Sequence, residues 1–315
     1  MKKSTYLRIK KDYIVEDSIT SFDLFEVSED KKKMSHFLEK GKIINRDDID
    51  KISKSRDLYI LSNTLEEYQN YCSLYIRAIA KSTTFSFEEK SSVLYDKAEE
   101  VMDQLFEDPE SVGKVDKVKD IVDDMLYIIL DEDFTIESMM TLATHDYYTH
   151  THSMNVSMYS LSLGYFLNFS KEQLEELGEA ALLHDIGKSK VDPSIINKNG
   201  KLDDDEFLEI MNHPAWGQEI AQNLGVTNKK VLFGIRHHHE KLDGSGYPDG
   251  IRGDSIPQYA RIIGICDVFD ALTTNRSYKE PMRSFDALKL IKNSMQNHLD
   301  MGLVDSMIKM LAQTA

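Results

Sequence analysis

Residues 174–188 read L-E-E-L-G-E-A-A-L-L-H-D-I-G-K. Leu174, Leu177, Ala181 and Leu182 recur at intervals of three and four, which puts them on one stripe of an α-helix. The stripe runs into His184 and Asp185, and Gly187 follows where a C-terminal cap is expected. Outward from this stretch, residues Ile136 to Ala315 read as successive helices with short loops and no strand alternation. Asp203 and Glu206 have the spacing of a capping box, starting a helix that carries Met211 and His213, with Pro214 as a break or restart. Val231, Ile235 and His238 share a face of another helix.

Upstream the pattern changes. From Phe87 onward Val93, Leu94, Val101 and Leu105, then Val118, Ile121, Val122, Met125, Ile128 and Ile129, keep helical spacing, with acidic residues on the other face. Residues 86–140 hold 5 basic and 17 acidic side chains, against 16 and 14 in 1–85 and 17 and 23 in 141–315. A solvated face on connecting helices is the expected use of such a run. Before it, the apolar runs Tyr6 to Ile9, Phe22 to Phe25 and Leu58 to Leu61, with one helical pattern near Leu65 to Ile79, predict a small α+β unit. The expected fold is therefore mainly α. It comprises a small α+β regulatory or partner-binding domain over 1–85, an acidic helical connector over 86–140 and a helical bundle over 141–315.

Composition narrows the functional classes. The 315 residues suffice for two domains, and 41% hydrophobic with 29% charged residues excludes collagen-like and wholly disordered chains. A net charge of −16 offers no general attraction to duplex nucleic acid or to an anionic membrane. Cys72 and Cys266 stand far apart without a CxxC, which fits a reducing compartment and predicts a cytoplasmic protein. No apolar run follows the basic residues among Met1 to Lys11, and the long uncharged stretch from Ser153 to Ser170 is studded with Ser and Asn. Neither a signal peptide nor a membrane span is expected.

Eight of the ten histidines, at 145, 150, 152, 184, 213, 237, 238 and 239, fall in a 95-residue window where even spacing would place about three. Imidazoles and carboxylates on separate helices of a bundle can converge on an interior metal site. The adjacent pair His184-Asp185 can hold one ion and bridge to a second through the two carboxylate oxygens, and His238-His239 at another helix end can likewise serve both.

Five segments follow in order: H-D-Y-Y-T-H-T-H-S (145–153), H-D-I-G-K (184–188), M-N-H-P-A-W-G (211–217), H-H-E-K-L-D-G-S-G-Y-P (238–248) and D-V-F-D-A-L-T-T-N-R-S-Y-K (267–279). With them, residues 141–283 resemble the HD-GYP domain, a branch of the HD phosphohydrolase superfamily. The resemblance implies an HD-type helical bundle with metal ligands at His152, His184, Asp185, His213, His238, His239 and Asp267, Asp185 bridging two divalent ions. The family's metals are mainly iron and sometimes manganese, although the ligand chemistry itself is equally compatible with zinc. It further implies that Lys188, Arg276 and Lys279 contact the phosphates of cyclic di-GMP, a task that falls to local cations in an acidic chain.

The implied reaction opens cyclic di-GMP to linear pGpG, with further cleavage to GMP left open. A hydroxide held between the ions attacks phosphorus, and His184, Asp185 and Lys188 carry the catalytic roles. The glycines of 243–248 are expected to permit turns, since the segment lacks the strand-to-helix setting of a P-loop. This loop and the N-terminal domain are candidate surfaces for a protein partner. His145, His150 and His237 have no settled role. Tyr148 stands where three-metal members carry a carboxylate, so two ions per chain are expected. Two other readings stay open: a module that binds cyclic di-GMP or a partner without turnover, and a hydrolase of another cyclic dinucleotide or nucleotide.

Overall fold

The computed structural model describes residues 5–9, 11–27, 33–65, 67–68, 70–72, 74–75, 87–109, 114–130, 149–196, 198, 200–274 and 281–312. Its contacts divide the chain into two compact units, 1–93 and 94–315.

The N-terminal unit is built on strands β1 (Tyr6–Ile9), β2 (Leu24–Val27), β3 (Met34–Leu38) and β4 (Leu58–Leu61), ordered β1-β4-β2-β3 with every pairing antiparallel. β4 alternates as a half-buried strand should: Leu58 and Ile60 are buried while Tyr59 and Leu61 are partly exposed. With Phe22, Leu24, Ile44 and Ile52 they form the core of this unit. Helix α1 (Arg46–Lys54) starts at a capping box in which Asn45 Oδ1 accepts from Asp48 N at 3.0 Å and Asn45 N donates to Asp48 Oδ2 at 3.2 Å. Further helical residues lie within 65–75, and the Tyr71 hydroxyl accepts from Val15 N. The sequence pattern placed β1 and β4 but neither β3 nor α1. M-S-H-F-L mixes polar with apolar residues, and α1 carries only Ile49 and Ile52 as apolar positions.

In the second unit the described elements are helical. Helix α2 (Phe87–Glu107) runs across the division and α3 is Lys114–Ile129. They are followed by α4 (Thr149–Phe166), α5 (Lys171–Leu183), α6 (Pro193–Ile196) and α7 (Asp204–Ile210), then α8 (His213–Asn223), α9 (Lys229–His237), α10 (Gln258–Thr273), α11 (Ser284–Ser294) and α12 (Met301–Ala312). α4 is the central helix, packed on α5, α10 and α12, while α5 also meets α3 and α9. The uncharged, Ser-rich composition of α4 follows from this position, because residues 152–164 are buried on every side and small hydroxyl side chains can be enclosed there. No described helix is long and apolar enough to cross a membrane.

Two local expectations shift. The Asp203–Glu206 capping box forms, but α7 ends at Ile210 and α8 begins at His213 with Pro214 in its first turn, so Met211 and His213 belong to no common helix. Proline is harmless there because its missing N–H has no ladder partner to lose. After α5, Gly187 is not a left-handed cap. His184 ends the helix in right-handed geometry and a 3₁₀ turn, Ile186–Lys190, follows.

Candidate metal centre

Helix ends deliver most of the centre. His184 caps α5 and Asp185 follows it; His213 lies just past α7; His238 caps α9 and His239 comes next. His152 comes from within α4 and Asp267 from within α10. The close approach of the first two segments explains Gly187. A Cβ there would lie 1.9 Å from the His213 carbonyl oxygen and 2.5 Å from Gly217 N, so only glycine lets the 3₁₀ turn reach α8.

Asp185 occupies the middle. Its Oδ1 is 3.2 Å from His213 Nε2 and 4.0 Å from His238 Nε2, and its Oδ2 is 3.4 Å from His184 Nε2 and 3.7 Å from His152 Nε2. The donor atoms fall into two groups of metal-binding dimensions: Asp185 with His213, His238 and His239, and Asp185 with His152 and His184. Asp267 reaches His152 Nε2 at 3.1 Å through Oδ1 and His239 Nδ1 at 3.8 Å through Oδ2. The seven residues named from the motifs thus lie together. Lys188 Nζ rests 2.5 Å from Asp185 Oδ2, at the partly exposed rim of the cluster. Arg276, Lys279, His145 and Tyr148 lie outside the described residues.

The donor chemistry fits a cation. His184, His213 and His238 each place Nδ1 within 2.7 Å of a backbone carbonyl, so that nitrogen carries the proton and Nε2 presents a bare lone pair. The His213 and His238 Nε2 atoms then face each other at 3.2 Å, where neither has a proton to donate. His184 Nε2 and Asp185 Oδ1 are buried without a hydrogen bond. Unpaired acceptors packed this closely repel one another, and a shared divalent ion removes the repulsion. Burial works against the charge of Asp185, yet the Lys188 ammonium beside it holds the carboxyl well below the usual carboxylate range. Burial and the neighbouring imidazoles push His238 well down, and burial pushes His239 down to about 3. For Asp185, His238 and His239 these are the protonation states that ligation requires, whereas at His152 burial is outweighed by Asp267 and Asp270, which favour the protonated ring, so an ion there would displace a proton.

The G-S-G-Y-P loop forms one wall. The Tyr247 ring packs on His239 with centroids 4.8 Å apart, and Tyr247 N donates to the His239 carbonyl at 3.3 Å. A Cβ on Gly246 would fall 2.4 Å from Lys241 N and 2.5 Å from Glu240 Cα, which again excludes any larger residue. Glu240 Oε1 ties the loop down by accepting from Asp249 N at 2.7 Å and Gly250 N at 3.0 Å. His237, Glu240 and Asp249 make a further group of metal-binding dimensions, but Asp249 is already gripped by Arg236 through two bonds of 2.8 and 2.7 Å. Sequence reasoning missed Tyr247 and Asp270 as parts of the centre. For Asp270 a signal existed, since residues three apart on a helix share a face with Asp267.

A family model described as "HD domain" matches residues 137–303. The chain is 32% identical over 221 residues to a cyclic di-GMP phosphodiesterase of Pseudomonas aeruginosa, covering 70% of this chain and 53% of that protein. It is 33% identical over 223 residues to the 3'3'-cGAMP-specific phosphodiesterase 3 of Vibrio cholerae serotype O1, covering 67% and 48%. The chain spans about half the length of these curated relatives. Among solved structures, an HDG"Y"P protein from Bdellovibrio bacteriovorus superposes with a TM-score of 0.70 over 98% of this chain and 100% of the other. At 20% identity that likeness is one of fold.

Proposed function

The chain belongs to the HD domain family, and from that premise we propose that it is a metal-dependent phosphodiesterase that opens cyclic di-GMP to linear pGpG. The observation that carries the proposal is the position of Asp185, each of whose oxygens faces its own pair of imidazoles in a buried, under-bonded cluster. His152, His184, Asp185, His213, His238, His239 and Asp267 would hold two divalent ions, which we assign as iron with manganese as the substitute. When bound, such ions polarise phosphoryl oxygens and make water nucleophilic at neutral pH.

The chain's own residues do the rest. Lys188 brings an ammonium to the rim of the cluster, where it would meet the phosphoryl oxygens as their charge grows. Arg276 and Lys279 would take the second phosphate, because a chain of net charge −16 repels a dianion everywhere except at such local cations. Tyr247, folded onto His239, would close one side of the cluster to water. A cyclic dinucleotide containing adenine is the second reading, favoured by the relative named as specific for 3'3'-cGAMP.

The test is turnover on a panel of cyclic di-GMP, 3'3'-cGAMP and linear pGpG, with iron or manganese loaded under anaerobic conditions. Release of pGpG from cyclic di-GMP is expected. Cleavage of 3'3'-cGAMP alone would transfer the activity to the second reading, and binding without cleavage would make the chain a receptor.

A further inference from the structure

Four histidines present Nε2 to Asp185, so each must keep its proton on Nδ1 to ligate. Three obtain this from their place in the chain. His184, His213 and His238 stand one to three residues beyond α5, α7 and α9, where the last carbonyls lack an N–H donor four residues on; that of Ala181 has only the long 3.5 Å bond from His184 N. Their Nδ1 atoms donate to the carbonyls three residues back, those of Ala181, Ile210 and Ile235, at 2.7, 2.7 and 2.6 Å. His152 cannot do the same. It lies inside α4, where the carbonyl three residues back is committed to the helical ladder. Its Nδ1 instead lies 2.7 Å from Oδ2 of Asp270, a fully buried side chain on α10.

We infer that Asp270 is the positioning residue for His152: it fixes the Nδ1–H tautomer and thereby offers Nε2 to an ion shared with Asp185 and Asp267. The inference rests on the metal-binding reading above. The other oxygen of Asp270 is locked in turn, accepting from Asn155 Nδ2 at 2.9 Å and from the Thr274 hydroxyl at 2.8 Å. A carboxylate only accepts, so the Asn155 amide must turn its NH₂ toward Asp270, and its oxygen then accepts from the Tyr95 hydroxyl at 2.8 Å. Every bond in the chain Tyr95, Asn155, Asp270, His152 has one permitted direction, and the last fixes the imidazole. Such outer partners orient metal-bound histidines and raise their basicity.

The direction of these bonds makes Asp270→Asn informative. The Asn155 amide and the Thr274 hydroxyl keep donating to one side of the new side chain, so its oxygen stays there and its NH₂ faces His152. The imidazole must then accept at Nδ1 and carry its proton on Nε2, where the ion should bind. Adding Asn155→Asp reverses the problem. The NH₂ of residue 270 turns to the new carboxylate, its oxygen returns to His152, and the tautomer is restored without a change in total charge.

The test titrates the metal-free full-length chain with zinc against a chelator of known affinity, for the wild type, Asp270→Asn and Asn155→Asp/Asp270→Asn. Alongside it, nitrogen NMR of the zinc-loaded wild type reads which His152 nitrogen is protonated. We expect Asp270→Asn to lose about 10- to 100-fold in affinity for one ion. The double variant should return to within a few-fold of wild type, and the wild-type spectrum should show a protonated Nδ1. Equal affinity in wild type and Asp270→Asn overturns the inference, as does a double variant that folds by circular dichroism yet binds as weakly as the single one. Should the variants fail to fold, the wild-type spectrum decides, and an unprotonated His152 Nδ1 overturns it. Failure of the wild type to bind zinc removes the metal-centre reading itself and this inference with it. Intact zinc binding with an unaffected Asp270→Asn removes this inference alone.

Discussion

The two units enclose different chemistry. Around β2 and β4 the interior is Phe22, Leu24, Ile44, Leu58 and Ile60, and the polar residues buried with them are Ser18, Thr20 and Asp48. Asp48 is fully answered, by Lys42 at 2.6 Å and by the Asn45 backbone. The helical unit instead buries His152, His184, Asp185, His213, His238 and Asp270, and leaves His184 Nε2 and Asp185 Oδ1 without hydrogen bonds. A buried polar group without a partner costs roughly 1–3 kcal/mol, more if charged. Among the described residues the sheet unit keeps one such atom, the neutral Thr20 Oγ1, whereas the helical unit keeps an imidazole nitrogen and a carboxylate oxygen on adjacent residues, and a shared cation would answer both.

The strongest way to break this contrast is to remove its central carboxylate. Asp185→Ala should lower cyclic di-GMP turnover by more than about 10²-fold, exceeding the loss typical of an outer-shell partner, with helix content preserved. Turnover and circular dichroism on one preparation check this, and retained activity would return the cluster to a structural role. Leu58→Ala makes the opposite cut. A fully buried leucine in β4 leaves a cavity costing about 2–5 kcal/mol of stability in its own unit, while the zinc bound per chain stays unchanged. Denaturant unfolding with metal analysis separates the two effects.

Acid acts on the helical unit through its histidines. In the metal-free chain, folded His239 stays neutral down to about 3, whereas in the unfolded chain an imidazole protonates near ~6.5. Between those values the unfolded state binds more protons, so this residue makes stability rise with pH and takes it away as pH falls through the window. Thermal melts at stepped pH should therefore show a shallower acid loss in His239→Ala than in wild type. Identical slopes would contradict the lowered proton affinity of His239. The smallest effect is expected at the neutralised carboxylate of the sheet unit. Asp48→Ala removes half of a capping box and should cost about 1 kcal/mol, readable as a small shift in the denaturation midpoint with metal content unaltered.

How legible each part was in the sequence follows from how local its cause is. The helices around His184 were readable because Leu174, Leu177, Ala181 and Leu182 repeat at helical spacing, and β4 because Leu58 and Ile60 alternate within four residues. Strand β3 was not, since its place beside β2 comes from pairing and not from its own M-S-H-F-L pattern. Gly187 shows the same limit within the centre. Its local signal is a helix cap, but the reason for glycine is the carbonyl of His213, 26 positions on, which no period in the sequence encodes. The histidines and aspartates of the centre could be named from their motifs. The links Tyr95 to Asn155 and Asp270 to His152 join separate helices and became visible only once those helices were packed.

In the proposed function the cluster around Asp185 holds divalent ions and uses them on a cyclic dinucleotide. Hydrolysis of cyclic di-GMP by the same preparation before and after anaerobic iron loading tests it most directly. No product is expected from the metal-free chain, and linear pGpG is expected once two ions per chain are bound. Intact cyclic di-GMP after incubation with a chain carrying both ions would contradict it.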